Sequence, residues 1–145
     1  MPNNSQRKNY LMYLADRALH HIDPSKTILR AGGQIADSYN GQIASFAVAV
    51  SQSGLCPALS SYYKESNNDT RTVNRQPILE IISRMIHADT QMPAELRDIE
   101  NASNLMRKAV SWANDKCRSR ILRQEVIDCA IALKQVVRTY KLVES

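Results

Sequence analysis

One Phe, one Trp, four Gly and five Pro stand in a chain of 145 residues. So few turn-forming residues argue against a loop-rich all-β fold. No run of about 18 apolar residues occurs, which leaves no candidate membrane span. The opening stretch "MPNNSQRKNY" is polar and lacks the apolar centre of a signal peptide. A cytoplasmic protein is the expectation. Three cysteines, Cys56, Cys117 and Cys129, are odd in number and widely spaced. They form no C-x-x-C pair and no Cys/His cluster, so they read as reduced, half-buried packing residues rather than as a metal site.

Chemical motifs are also scarce. There is no G-x-x-x-x-G-K loop, no G-x-G-x-x-G turn and no G-x-S-x-G elbow. His20 and His21 are adjacent, so on a helix they point about 100° apart and cannot share a metal ion. His87 falls at a helix end, where a cation favours the dipole. Small all-α ribonucleases of the HEPN type place four to six residues between an Arg and a His. Here Arg17 and His21, and Arg84 and His87, stand closer together than that. No pair of carboxylates is marked. No enzyme, cofactor or metal is expected.

What the chain does have is helical periodicity. Tyr10, Leu11, Leu14, Ala18 and Ile22 form one apolar stripe, which "DPS" at 23–25 interrupts. Ile28, Gly32, Ile35, Tyr39, Ile43, Phe46 and Val50 continue at steps of three and four. They predict one long helix, with Asn40-Gly41 as a competing turn. Gly54, Leu55 and Pro57 then predict a sharp corner. Gly suits a left-handed helix end, Leu folds back on the last turn, and Pro suits the first turn of a short helix reaching Lys64. "ESNNDTRTVN" (65–74) and "ADTQMP" (88–93) read as loops, with a compact apolar helix from Arg75 to His87 between them. Leu96, Ile99, Ser103, Met106, Val110 and Ala113 predict a long helix from Ala94 to the basic knot "KCRSR". Leu122, Val126, Cys129, Leu133, Val136 and Tyr140 predict the last helix, with Lys134, Arg138 and Lys141 aligned on its other side. No strand alternation and no internal repeat is evident. The expectation is all-α: one domain over 1–145 with a polar tail at 1–5, a single compact bundle of about six helices, three of them long, and a helix–Gly-Leu–helix corner.

Charge is unevenly placed. The net charge is +5. Residues 64–100 carry five basic and seven acidic side chains, whereas 107–141 carry nine basic and three acidic, a block of +6 (9 − 3). Such a block fits a polyanion partner, or simply a solvated helix face. Arg118, Arg120, Arg123, Lys134, Arg138 and Lys141 are the candidate RNA-contacting residues, with Arg107 and Lys108 secondary.

A family resemblance joins these features. "YNGQIASFAVAVSQSGLCPALSSYY" (39–63) resembles the central signature of the small subunit of type III-B CRISPR RNA-guided effector complexes, the fifth Cmr protein. Tyr39 and Gly54-Leu55 match its positions. "RILRQEVIDCAIALKQVVRTYKL" (120–142) resembles its closing helix through Glu125-Val126 and Leu133-Lys134. Ala132 stands where the family has Trp, and no Pro precedes the corner. The resemblance implies a non-catalytic subunit that stacks with copies of itself, alongside a guide RNA–target RNA duplex, among other effector subunits. It implies phosphate contacts rather than base reading, with sequence specificity left to base pairing. Leu55 at the corner is the candidate stacking residue. Two other readings stay open. One is a helical adaptor that binds only protein. The other is a helix-turn-helix DNA-binding regulator, against which the short, weakly charged helix after the corner argues.

Overall fold

The computed structural model describes residues 4–22, 28–63 and 75–144. Six α-helices carry the described fold: α1 (Asn4–His21), α2 (Asp37–Ser53), α3 (Leu55–Tyr63), α4 (Gln76–Ala88), α5 (Ala102–Ser111) and α6 (Lys116–Val137). α1, α2 and α6 are the long ones. A small sheet joins them: β1 (Leu29–Arg30), β2 (Gln34–Ala36) and β3 (Lys141–Val143). The "ESNNDTRTVN" loop and the "DPS" interruption fall outside the described residues.

α4 is the central element. Nine of its side chains are buried between Pro77 and Ile86, with Arg84 the exposed exception. A helix buried over most of its circumference must be surrounded. α1, α3, α5 and α6 pack against it. α6 in turn packs on α1 and α2. Leu11, Leu14, Ala15, Ala18 and Leu19 supply the inner face of α1. Leu122, Val126, Cys129, Leu133 and Val136 supply that of α6, as their spacing predicts.

Three expectations are corrected. The stripe from Ile28 to Val50 does not form one helix. Gly32 and Gly33 both adopt positive φ, 80° and 71°, and close a hairpin that pairs Leu29 with Ile35 and Arg30 with Gln34. Adjacent glycines reach this conformation at little steric cost, which outweighs the apparent four-residue period. α2 begins only at Asp37 and runs through Asn40-Gly41 without a turn. Second, the stretch from Ala94 is broken. A 3₁₀ turn covers Ala94–Asp98. Asn101 is then extended, and its side chain accepts a hydrogen bond from the Asn104 amide at 2.9 Å, starting α5. The buried face of α5 is Ala102, Leu105 and Ala109, while Val110 is 61% exposed. "KCRSR" begins α6 rather than ending a helix, because Asp115 caps the Cys117 and Arg118 amides. Third, Lys141 leaves the last helix. α6 stops at Val137, and Lys141 enters β3, parallel to β2. Tyr140 anchors that exit: its hydroxyl donates to Asp16 and lies 2.8 Å from His20 Nε2, both on α1.

The corner is tighter than expected. Gly54 alone connects α2 to α3, at φ 92° and ψ 164°. That is not the left-handed helical conformation but a region essentially restricted to Gly. Its N–H donates to Val50 O at 3.1 Å, and Leu55 is the first residue of α3. Cys56 is half-buried, Cys129 is buried, and Cys117 is exposed rather than packed.

One buried polar cluster escapes the sequence reading. The Arg7 guanidinium, from α1, donates to both oxygens of Asp89, just past α4, at 3.0 and 2.6 Å. It also donates to Oε1 of Glu125, in the middle of α6, at 2.6 Å. Both carboxylates are essentially sealed from solvent, with side chains 0% and 1% exposed. Burial, then the neighbouring Asp89, push the Glu125 carboxyl up to about 9, against which Arg7 acts more weakly. Burial also acts to raise Asp89, but hydrogen bonds from Glu125, Arg7 and the Gln91 amide outweigh it and hold Asp89 below the ordinary range. One proton on Glu125, one carboxylate and one guanidinium make a neutral buried set.

These features predict opposite signs for two glycines. Gly54→Ala should destabilise by about 1–3 kcal/mol through backbone strain. Gly41→Ala should stabilise by about 0.5–1 kcal/mol, since an added Cβ there meets nothing within 4 Å. Urea unfolding of both variants checks this. A pH effect is also expected. Between 4.5 and about 9, folded Glu125 keeps a proton that the unfolded chain has released, so its contribution falls as pH rises. Asp89 contributes above the ordinary Asp range, and that part is lost in acid. Melting temperature should therefore decline from pH 5 to pH 9, and Glu125→Gln should flatten the decline. Arg7→Ala should cost about 3–5 kcal/mol, the cost of breaking a buried pair.

Candidate nucleic-acid interface

α6 has 22 residues and is about 33 Å long. Its angular period sorts the candidate cations. Arg120 and Arg138 are 18 residues apart, about five full turns, so they share one side about 27 Å apart. Both are exposed. Arg123 and Lys134, 11 residues apart, flank the same line after about three turns. Ile127 and Ile131 lie between them. Arg118 is about 200° from Arg120 and faces the other way.

The cations also differ in their partners. Arg118 pairs with Glu95 at 3.3 Å and with Asp115 at 3.8 Å, and it lies 5.4 Å from the Trp112 ring centroid. Lys108 donates to Asp98 at 2.7 Å and lies 5.2 Å from the same ring. These two bases clamp Trp112, which is buried, and are largely compensated. Arg123 donates to Ser51 O at 3.1 Å, at the carbonyl end of α2. There it neutralises the negative helix terminus. Lys134 is half-buried along a shallow groove lined by Ala44, Ala47, Val48, Ile127 and Ile131. Its stem covers apolar surface while the ammonium reaches water. Arg107, on α5, and Lys141, in β3, are exposed. The block of +6 is thus divided. Arg120 and Arg138, with Lys134 between them, form an outward line. Arg118, Lys108 and Arg123 hold the fold together.

Leu55 is corrected. It is 7% exposed and part of the core, because the single-residue connection turns it inward. It offers almost no surface to a neighbouring copy. The exposed apolar residues of this side are Val48 and Ile131, 52% and 42% exposed, which line the α2–α6 groove.

A second cationic surface was not anticipated. Arg17 and His21 of α1 and Arg84 of α4 line one groove with Tyr10, Tyr13 and Thr90. The sequence signal was present, since Tyr10, Tyr13, Arg17 and His21 recur at helical spacing beside the core stripe. Arg84 could not be found that way: it is an exposed residue on a helix otherwise buried from Pro77 to Ile86. Among the described residues, no group of His, Cys, Asp and Glu could hold a metal ion, and no helix is long and apolar enough to cross a membrane.

A family model described as CRISPR-associated protein (Cas_Cmr5) matches residues 13–140. The chain belongs to the Cas_Cmr5 family of CRISPR-associated proteins. No curated protein and no solved structure matches it. The match spans the second half of α1 and all the described helices after it. It places the chain among subunits of CRISPR effector complexes of the Cmr type.

The clamp on Trp112 gives a prediction. Arg118→Ala and Lys108→Ala should each lower stability by about 0.5–1 kcal/mol. Trp112 fluorescence should shift to the red on loss of either cover. An unshifted spectrum in both would show that the cations do not shield the ring.

Proposed function

We propose that this chain is a non-catalytic small subunit of a type III-B CRISPR effector ribonucleoprotein in antiviral defence. It supports the guide RNA–target RNA duplex through the phosphate backbone. The observation that carries this is the line of Arg120, Lys134 and Arg138 on the exposed side of the longest helix. Cations five turns apart on one rigid rod suit a polyanion that also repeats along its length. They offer charge to phosphate and no array of polar groups to base edges, as expected where base pairing supplies specificity.

The competing readings are less well supported. α3 buries Leu55, Ala58, Leu59 and Tyr62, so the helix after the corner is a core element and not a recognition helix. The most perturbed carboxyl, Glu125, is sealed beneath three helices, which fits a structural role better than catalysis. Stacking on further copies, or on other subunits, is assigned to the Val48–Ile131 groove in place of Leu55. An adaptor without nucleic-acid affinity would use that groove alone.

The test is binding of a 20-base-pair RNA duplex by the full chain. Arg120→Glu with Arg138→Glu should weaken binding at least about tenfold and make the salt dependence shallower. Arg118→Glu, on the other side, should have little effect. Equal loss in both variants, or in neither, overturns the assignment of the α6 line.

A further inference from the structure

The groove between α1 and α4 has the chemistry of a strand-binding site. Its lining combines two guanidiniums, Arg17 and Arg84, an imidazole, His21, and two phenols, Tyr10 and Tyr13. Among the described residues, no carboxylate lines it. Among the described residues, neither Arg17 nor Arg84 makes an ion pair, in contrast to Arg7, Lys108 and Arg118. Two cations that converge on one groove without an anion leave a local positive field.

The aromatic part is placed for stacking. Tyr13 is 54% exposed, unusual for a large aromatic in this fold. Arg17 lies over its ring at 5.7 Å from the centroid and donates to its hydroxyl at 3.1 Å. The pair presents a ring and a guanidinium plane, the two surfaces on which unpaired bases stack. Tyr10 is instead fixed, its hydroxyl accepting from the Thr90 amide at 3.1 Å. That bond ties the floor of the groove to the segment after α4. The groove encloses about 310 Å³, at the lower edge of the roughly 300–1,000 Å³ of small-ligand sites. It suits one nucleotide of a longer strand.

We propose that this groove binds a single-stranded nucleic-acid segment, with phosphate between Arg17 and Arg84 and a base against Tyr13. A duplex would not serve, because its bases are already stacked on one another. The site is therefore distinct from the α6 line and shares with it only the premise of a nucleic-acid partner. An unpaired stretch leaving a duplex on α6 would be a natural occupant.

The experiment uses the full chain with a 40-nucleotide oligo(U), long enough for several copies to bind together, and with oligo(dT) of equal length. Arg17→Gln with Arg84→Gln should weaken oligo(U) binding at least about tenfold. It should also reduce the magnitude of the salt slope by about 1.4, at about 0.7 per phosphate contact on single strands. Tyr13→Ala should weaken binding by about tenfold with an unchanged slope, and Tyr13→Phe should retain it. Loss on oligo(U) alone assigns the site to RNA, and loss on both probes assigns it to single strands in general. Absence of wild-type binding to either probe at low salt overturns the proposal. So does wild-type affinity in the double variant, or displacement of oligo(U) by poly-glutamate at equal charge, which would mark an acidic peptide as the occupant. Duplex binding by the same variants separates the two sites: the Arg17/Arg84 pair should leave it intact, whatever the Arg120/Arg138 variant does.

Discussion

The packing of α1, α4 and α6 turns on the Arg7–Asp89–Glu125 cluster. Removing three ionisable groups from water is costly, and only a complete, well-bonded set offsets it. Here the set is close to complete. The guanidinium bonds both carboxylates, the Gln91 amide donates to Asp89 at 2.9 Å, and a proton on Glu125 removes the surplus negative charge. An apolar core tolerates small rotations of a helix about its axis. A buried Glu that must meet one guanidinium does not. The cluster therefore fixes the rotation of α6, and that rotation decides which residues face outward. Arg120 and Arg138 are surface residues because Glu125 is not.

The same constraint explains why one shifted carboxyl is not a sign of catalysis. A functional acid needs both a perturbed affinity for protons and a path to substrate. Glu125 has the first and lacks the second. Cys129, one turn further along α6, is held in its thiol form for related reasons: burial first, then the neighbouring carboxyl groups of Glu125 and Asp89. The centre of this bundle is where its titratable groups are most perturbed and least accessible.

Much of the fold was legible in the sequence, and the exceptions have particular causes. The α1 and α6 stripes and the apolar run of α4 followed from residue spacing alone, because long amphipathic segments repeat their signal. The corner at Gly54 was legible because a Gly followed by Leu and, two residues on, Pro admits few geometries. The hairpin at 29–36 was not, since Ile28, Gly32 and Ile35 imitate a helical period. Only the tolerance of two adjacent glycines for positive φ separates the two readings. The break before α5 was hidden for a similar reason. Asn101 lies within the apolar period from Leu96 to Ala113, and that period carries no sign that its side chain caps a new helix. Lys141 was misplaced because the helix ends just before a Tyr whose partners, Asp16 and His20, lie more than a hundred residues earlier. Local pattern carries no information about such contacts. The family signature was legible because it rests on local features, the corner and the closing helix.

The candidate site shows what charge counting can and cannot do. The sum over 107–141 pointed to the C-terminal third, yet three of the eight named cations there have intramolecular work: Arg118 and Lys108 on Trp112 and on carboxylates, Arg123 on the end of α2. A cation already bonded to a carboxylate or a helix terminus must break that contact before it can meet phosphate, so its net contribution to binding is small. Residues 64–100, with a net negative count, contain Arg84, which faces a groove lined by no carboxylate among the described residues. Attraction for a polyanion depends on the field at a surface, and that field is set by which charges are exposed and unpaired. By that measure the described residues form two positive surfaces: the outer line of α6, and the groove that α1 and α4 form on another part of the bundle.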